Sequence, residues 1–235
     1  MALGSGKWPP VTRGRVIPPE PRMLNPLDSL SHPPTVISRL FEASTLLDNV
    51  YTALNQPTSQ ISFNIDEATM LVKTLQSFEV VMEQEMRGSP KLFCSSIALS
   101  TTALLFTAEN GSKPAAACVS KEAAMQANAF LDFLIDDIVE RVAVLAGNNA
   151  LATESGIPPF LALLLYKAAA ITTARLHNDV EPDVNLRRLK ILRNGLARLA
   201  SRWLAAGRFL DLMDEDTTPR VLRALKVMSG TSSDS

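Results

Sequence analysis

Asp132, Asp136 and Glu140 stand four residues apart in a stretch of helical pattern, a spacing that sets three carboxylates in a row on one helix face. In a helical bundle such a row can belong to a di-metal centre. That centre also needs a Glu-x-x-His element on a second helix, and the sequence has none. The row therefore reads as a solvated polar face. The two histidines, His32 and His177, lie in a proline-rich segment and at a helix end, and their spacing supports neither a Ser/His/Asp nor a metal constellation. Cys94 and Cys118 match no metal-ligand spacing and no disulfide framework, and read as reduced thiols of an intracellular protein. Gly4-Ser5-Gly6-Lys7 has the ending of a phosphate loop, but it lacks the first glycine, a preceding strand and the following Ser or Thr. The sequence predicts no catalytic residue, no cofactor, no metal ligand and no enzyme.

Charge narrows the partners. Lys+Arg number 23 and Asp+Glu 24, so the whole-chain field offers no general attraction to nucleic acid or acidic lipid. Locally, Arg187, Arg188, Lys190, Arg193, Arg198, Arg202 and Arg208 form a run without acidic residues. On a helix they spread over several faces, whereas reading a groove requires one face. They are expected to be solvated and to pair with the acidic stretches Asp179 to Asp183 and Asp211 to Asp216.

The elements that carry these residues are helical. Eight of the 15 prolines fall before Val36, which predicts an extended leader over residues 1–34. From Val36 the apolar residues recur at steps of three, four and seven. The first expected helix, Ser38 to Leu54, presents Leu40, Leu47, Val50, Tyr51 and Leu54. A second starts near Asp66-Glu67 and presents Leu71, Leu75, Phe78, Met82 and Met86. A third spans Lys91 to Ala108, with Asn110-Gly111 as its stop. A fourth, Lys121 to Ala146, faces Met125, Leu131, Leu134, Ile135, Ile138, Val142 and Leu145 one way. The next runs from Pro159 to His177, since proline suits a helix start. A sixth carries Leu189, Leu192, Leu196, Leu199, Trp203, Ala206 and Leu210. Asn194-Gly195 could split it, but the stripe keeps its register across Gly195, which favours one continuous helix. A short helix over Pro219 to Met228 and a disordered tail over 229–235 complete the pattern. No alternating strand pattern is present. The fold class is all-α, a single bundle-like domain of six or seven helices over residues 35–228.

The apolar segment Ile157 to Leu176 poses a choice between membrane span and core helix. A helix from Pro159 to His177 is ~28 Å long, slightly short for a bilayer core. Lys167 sits near its centre, at a cost of roughly 2.5 to 3.5 kcal/mol on insertion scales. Alanines at 162, 168, 169, 170 and 174 suit close helix approach. The segment reads as a buried central helix, with Lys167 and Tyr166 sending their polar tips to a surface or gap. It is expected to pack against the Trp203 stripe, and no membrane is implied.

Two of these segments together resemble a known family. Pro159, Phe160, Leu165, Tyr166, Ala168 and Ala169, followed by Arg202, Trp203, Ala206, Phe209 and Leu210, resemble the C-terminal part of the regulatory domain of fungal zinc binuclear cluster transcription factors. In that family a helix with a Pro-Phe…Leu-Tyr-x-Ala-Ala pattern precedes one with Arg-Trp-x-x-Ala-x-x-aromatic-Leu. The resemblance covers about 55 residues of the chain. It implies a nuclear, with cytoplasm as the alternative, all-helical region that regulates transcription. Its implied contacts are protein partners of the transcription machinery, a homodimer partner or a small apolar effector. The family's DNA reader needs six cysteines around two zinc ions, and this chain has two cysteines, so direct sequence-specific DNA binding is not expected of it. The competing expectation is a helical adaptor or scaffold unrelated to transcription.

Overall fold

Apolar runs at helical spacing, interrupted by Asn-Gln-Pro, Gly-Ser-Pro and Asn-Asp punctuation, fold as helices in the computed structural model, which describes residues 36–86, 94–113, 120–147, 151, 157–217, 221 and 225. They form α1 (Val36–Asn55), α2 (Ile61–Glu85), α3 (Ser95–Ser112), α4 (Lys121–Gly147), α5 (Phe160–His177), α6 (Pro182–Ala200) and α7 (Leu204–Asp216). The fold is all-α, with no strand among the described residues. The expected leader and tail lie outside the described residues. Of the last expected helix only Val221 and Leu225 are described, both helical and buried.

Two helices form the centre. α3 packs against α1, α2, α4 and α5, and α5 packs against α3, α6 and α7. α3 is rich in Ser and Thr, a composition that favours caps and turns over helix interiors, yet it is buried along most of its length. Its hydroxyls return to its own backbone: Thr102 Oγ1 donates to Ala98 O at 2.6 Å and Thr107 Oγ1 to Ala103 O at 2.9 Å. A buried hydroxyl so bonded avoids the roughly 1–3 kcal/mol cost of an unmet polar group. α5 is apolar all round, as expected for a central helix, with Leu161, Leu164, Leu165, Ala168 and Ala169 at most 0% exposed. Among the described residues no helix is long and apolar enough to cross a membrane.

Several boundaries differ from the sequence expectation. α2 begins five residues before Asp66 because Asn64 ties the preceding turn: its Oδ1 accepts from Thr58 N at 3.0 Å and Thr58 Oγ1 at 2.7 Å. Asn110-Gly111 lies inside α3, which ends one residue later with a tightened turn, Lys113 N donating to Asn110 O at 3.3 Å. On α1, Tyr51 is 61% exposed, while the core side is set by Ala43 and Val50. Tyr51 lies about 100° around the helix from Val50. Met125, expected in the core, is 64% exposed, because the buried face of α4 runs through Ala124, Ala127 and Leu131.

The largest correction concerns the expected continuous helix from Leu189 to Leu210. Gly195 does remain helical, but the chain breaks at Ser201–Trp203. Arg202 N and Trp203 N both bond Leu199 O, at 2.9 and 2.8 Å, and Trp203 is extended at φ −122°, ψ 110°. The chain then folds back, so that α7 packs on both α5 and α6. No Gly or Pro marks this break; packing imposes it. Gly195 has a different role from a tolerated defect. A Cβ there would lie 2.9 Å from Val142 Cγ1 and 3.0 Å from Leu165 Cδ1, so glycine permits the close approach of α4 and α5 to α6.

Candidate functional site

The residues of the two motif segments fall at the start of and along α5, on the break before α7 (Arg202 and Trp203) and on α7 itself (Ala206, Phe209 and Leu210). Pro159 caps α5 from the αR region, and Ala162 N bonds its carbonyl at 3.1 Å, which fits a proline at a helix start. Leu165, Ala168, Ala169 and Ala206 are fully buried. Phe160, Tyr166, Trp203, Phe209 and Leu210 are half-buried and pack on the core. The two segments meet at one ring pair: Tyr166 and Phe209 stack with centroids 4.5 Å apart and planes 12° from parallel. Arg202 stands apart from that pair, its guanidinium 6.0 Å from the Trp203 ring. Trp203 caps α7 through its backbone, and its Nε1 is buried without a partner among the described residues.

Beside the ring pair lies a cleft of about 180 Å³ lined by Tyr166, Ala170, Thr173, Ala174, His177 and Met213. That is below the range of roughly 300–1,000 Å³ usual for small-molecule sites. The Thr173 hydroxyl oxygen has no hydrogen-bond partner among the described residues but is sealed from solvent, so the open surface is mainly aromatic and aliphatic.

Lys167, the charge that argued against a lipid setting, is held on two sides. Its Nζ lies 2.6 Å from Glu109 Oε2 and 4.4 Å from the centre of the Phe106 ring, both on α3. The lysine thereby joins the two central helices by an ion pair and a cation–π contact.

Charged residues form two clusters on α4, the first of them built from Asp132, Asp136 and Arg188, which were expected in solvent. In the first, Arg188 of α6 is 6% exposed and reaches Asp136 Oδ1 and Oδ2 at 2.7 Å each and Asp132 Oδ1 at 2.8 Å. Arg175 of α5 also pairs with Asp132 and donates to Asn128 Oδ1 at 3.4 Å. Buried Asn185 accepts from Arg188 at 3.2 Å and donates to Val180 O at 2.8 Å. Burial by itself would lower the Arg188 pKa, but the bonds to Asp136 and Asp132 outweigh it and hold the guanidinium above its ordinary value. Two expectations are thus overturned: Arg188 is not solvated, and its partners are the α4 carboxylates, not the acidic loops. Arg193 does pair with Asp214, at 2.5 Å, in the manner expected.

In the second cluster, Glu79 of α2 points its carboxyl between Thr101 and Ser100 of α3, at 2.7 and 3.3 Å. Arg141 and Asp137 of α4 stand close by. Burial lifts the Glu79 pKa to about 7, against the lowering effect of Thr101, Arg141 and Ser100. The side chain as a whole is half-buried, but both hydroxyls that hold the carboxyl are buried.

Among the described residues no group of three or more His, Cys, Asp or Glu could hold a metal ion. His177 is exposed and Cys94 is a half-buried free thiol. His32 and Cys118 lie outside the described residues. The Arg188 cluster had a signal in the sequence: Asn185 and Arg188 fall on the same helical face as Leu189, Leu192, Leu196 and Leu199. The turn before α6 gave no such signal. There Asp179 and Glu181 adopt positive φ, 52° and 39°, and Glu181 precedes Pro182, which disfavours the αR region for it.

The chain matches no family model, no curated protein and no solved structure.

Proposed function

We propose that this chain is a helical regulatory domain of a transcription regulator, acting through protein contacts or a small apolar effector and reading no DNA sequence itself. The reading rests on the resemblance of the α5 and α7 segments to the regulatory domain of fungal zinc cluster factors. The observation that carries it is the Tyr166–Phe209 stack, which joins the two matching segments through a residue from each. Two cysteines cannot build the six-cysteine cluster of that family, so DNA contact would come from another module or partner. The site of action in this reading is the nucleus.

The test is to tether the full chain to a heterologous DNA-binding domain and measure a reporter. The expected result is a change in output, in either direction, that Tyr166→Ala or Phe209→Ala diminishes at equal protein level. Unchanged output from a well-expressed nuclear fusion, together with stable partners in the cytoplasm, would make the chain a helical adaptor instead.

A further inference from the structure

The polar side chains of α5 divide into two sets. Lys167 is held by Glu109, Thr172 Oγ1 donates to Ala168 O at 2.8 Å, and Arg175 reaches Asp132 and Asn128. The side chains of Tyr166, Thr173 and His177 make no hydrogen bond among the described residues. These three, with Ala170 and Ala174, line the cleft against Met213 of α7. Positions 166, 170, 173, 174 and 177 recur at steps of three and four, so one face of α5 gathers its unspent polar groups.

Thr173 is the informative member. The residue is 6% exposed, and its hydroxyl is buried without a partner. Other buried threonines of the central helices are satisfied: Thr102, Thr107 and Thr172 donate to the carbonyl four residues back, and Thr101 donates to Glu79. Thr173 departs from that pattern and keeps one donor and two lone pairs free. Native structures seldom carry such a group without a use for it.

Volume and charge define what would fit. An apolar cavity of about 150 Å³ accommodates benzene. This cleft, at about 180 Å³, has room for one six-membered ring with a short substituent. Its lining includes no Asp, Glu, Lys or Arg among the described residues, so a charged ligand would leave water without a counter-charge. Tyr166, backed by Phe209, supplies an aromatic wall, and the Met213 thioether suits contact with a ring edge.

We infer that the cleft between α5 and α7 binds a neutral, single-ring aromatic molecule bearing one hydroxyl. The ring lies among Tyr166, Ala170, Ala174 and Met213, and the hydroxyl pairs with Thr173 Oγ1. Because that oxygen is closed to water, the ligand enters by turning Met213 aside, a side chain with three rotatable bonds. The inference gives a place and a chemical class to the small effector of the regulatory reading, and it rests on that reading for what binding controls.

The test uses the full chain and three one-ring probes, benzyl alcohol, toluene and benzoate, with the NMR signal of the Met213 methyl group as readout. Benzyl alcohol should shift that signal saturably, with a dissociation constant of about 1 mM or below, and benzoate should not. Thr173→Val keeps the shape and removes a hydroxyl that has no partner, so the fold should persist. The variant should bind benzyl alcohol about fivefold more weakly and toluene no more weakly than before. An unsaturable or absent response to benzyl alcohol would overturn the proposal, as would equal weakening of both probes or binding of benzoate. Failed binding alongside a responsive reporter fusion removes this site and keeps the regulatory reading; binding alongside an unresponsive reporter does the reverse.

Discussion

The two ionic clusters on α4 use the same parts to opposite ends. Around Asp132 and Asp136, two carboxylates meet two guanidinium groups, from Arg175 and Arg188, and two asparagines take up remaining donors and acceptors. Around Arg141, one guanidinium meets Asp137, Glu83 and Glu79. The first is matched in charge and ties α4 to α5 and α6. The second, among the described residues, sets the Arg141 guanidinium beside Asp137 and Glu83 where α2 meets α3 and α4. In the first, the bonds to Asp136 and Asp132 hold the Arg188 guanidinium above its ordinary pKa; in the second, burial lifts the Glu79 carboxyl against the pull of Thr101, Arg141 and Ser100.

Removing the matched cluster should have the largest effect. Arg188→Ala leaves Asp132 and Asp136 without their shared partner and opens space under α6. Because both carboxylates keep access to water, the loss is expected at about 3 kcal/mol, the low end for breaking a buried pair, measured by urea unfolding. Arg188→Met, which refills the volume, should recover part of it; full recovery would show that packing and not charge ties α6 to α4.

Gly195→Ala probes the spacing that lets Arg188 reach α4. The added methyl meets the stiff Val142 side chain, and the overpacking should outweigh the gain of roughly 1 kcal/mol in helix propensity. A net loss of about 1 kcal/mol in urea unfolding is expected, with Gly195→Val losing more. A stabilised Gly195→Ala variant would mean that α4 and α6 are not held this closely.

The smallest effect concerns the Glu79 side of the comparison. Asp137 raises the Glu79 pKa, and Asp137→Asn also frees Arg141 for Glu79. The Glu79 titration midpoint, read by carbon-13 NMR of its carboxyl, should therefore move to lower pH. A midpoint that stays in place would remove Asp137 from the cluster.

Legibility in the sequence followed the range of the forces involved. The spacing of Leu131, Leu134, Ile135, Ile138 and Val142 marked the buried face of α4, and Pro158-Pro159 marked the start of α5, because periodicity and proline act within a turn or two. The carboxylate row at Asp132 and Asp136 was visible as spacing, but its purpose was not, since Arg188 lies more than fifty residues along the chain. Glu79 gave no signal at all: a lone glutamate on an amphipathic helix looks like any solvated one until Thr101 closes over it.

The residues alone determined an all-α fold, an apolar central helix unsuited to lipid because of Lys167, and too few cysteines for a six-cysteine zinc cluster. Only the tertiary structure decided that the helix after Gly195 breaks at Trp203, that Lys167 is spent on Glu109 and Phe106, and that Arg188 and Glu79 are drawn into separate clusters beside α4. Helix formation answers to neighbours three and four residues away. Burial of a charge answers to whatever the fold brings against it from a distance, and that distance is where pattern in the sequence ends.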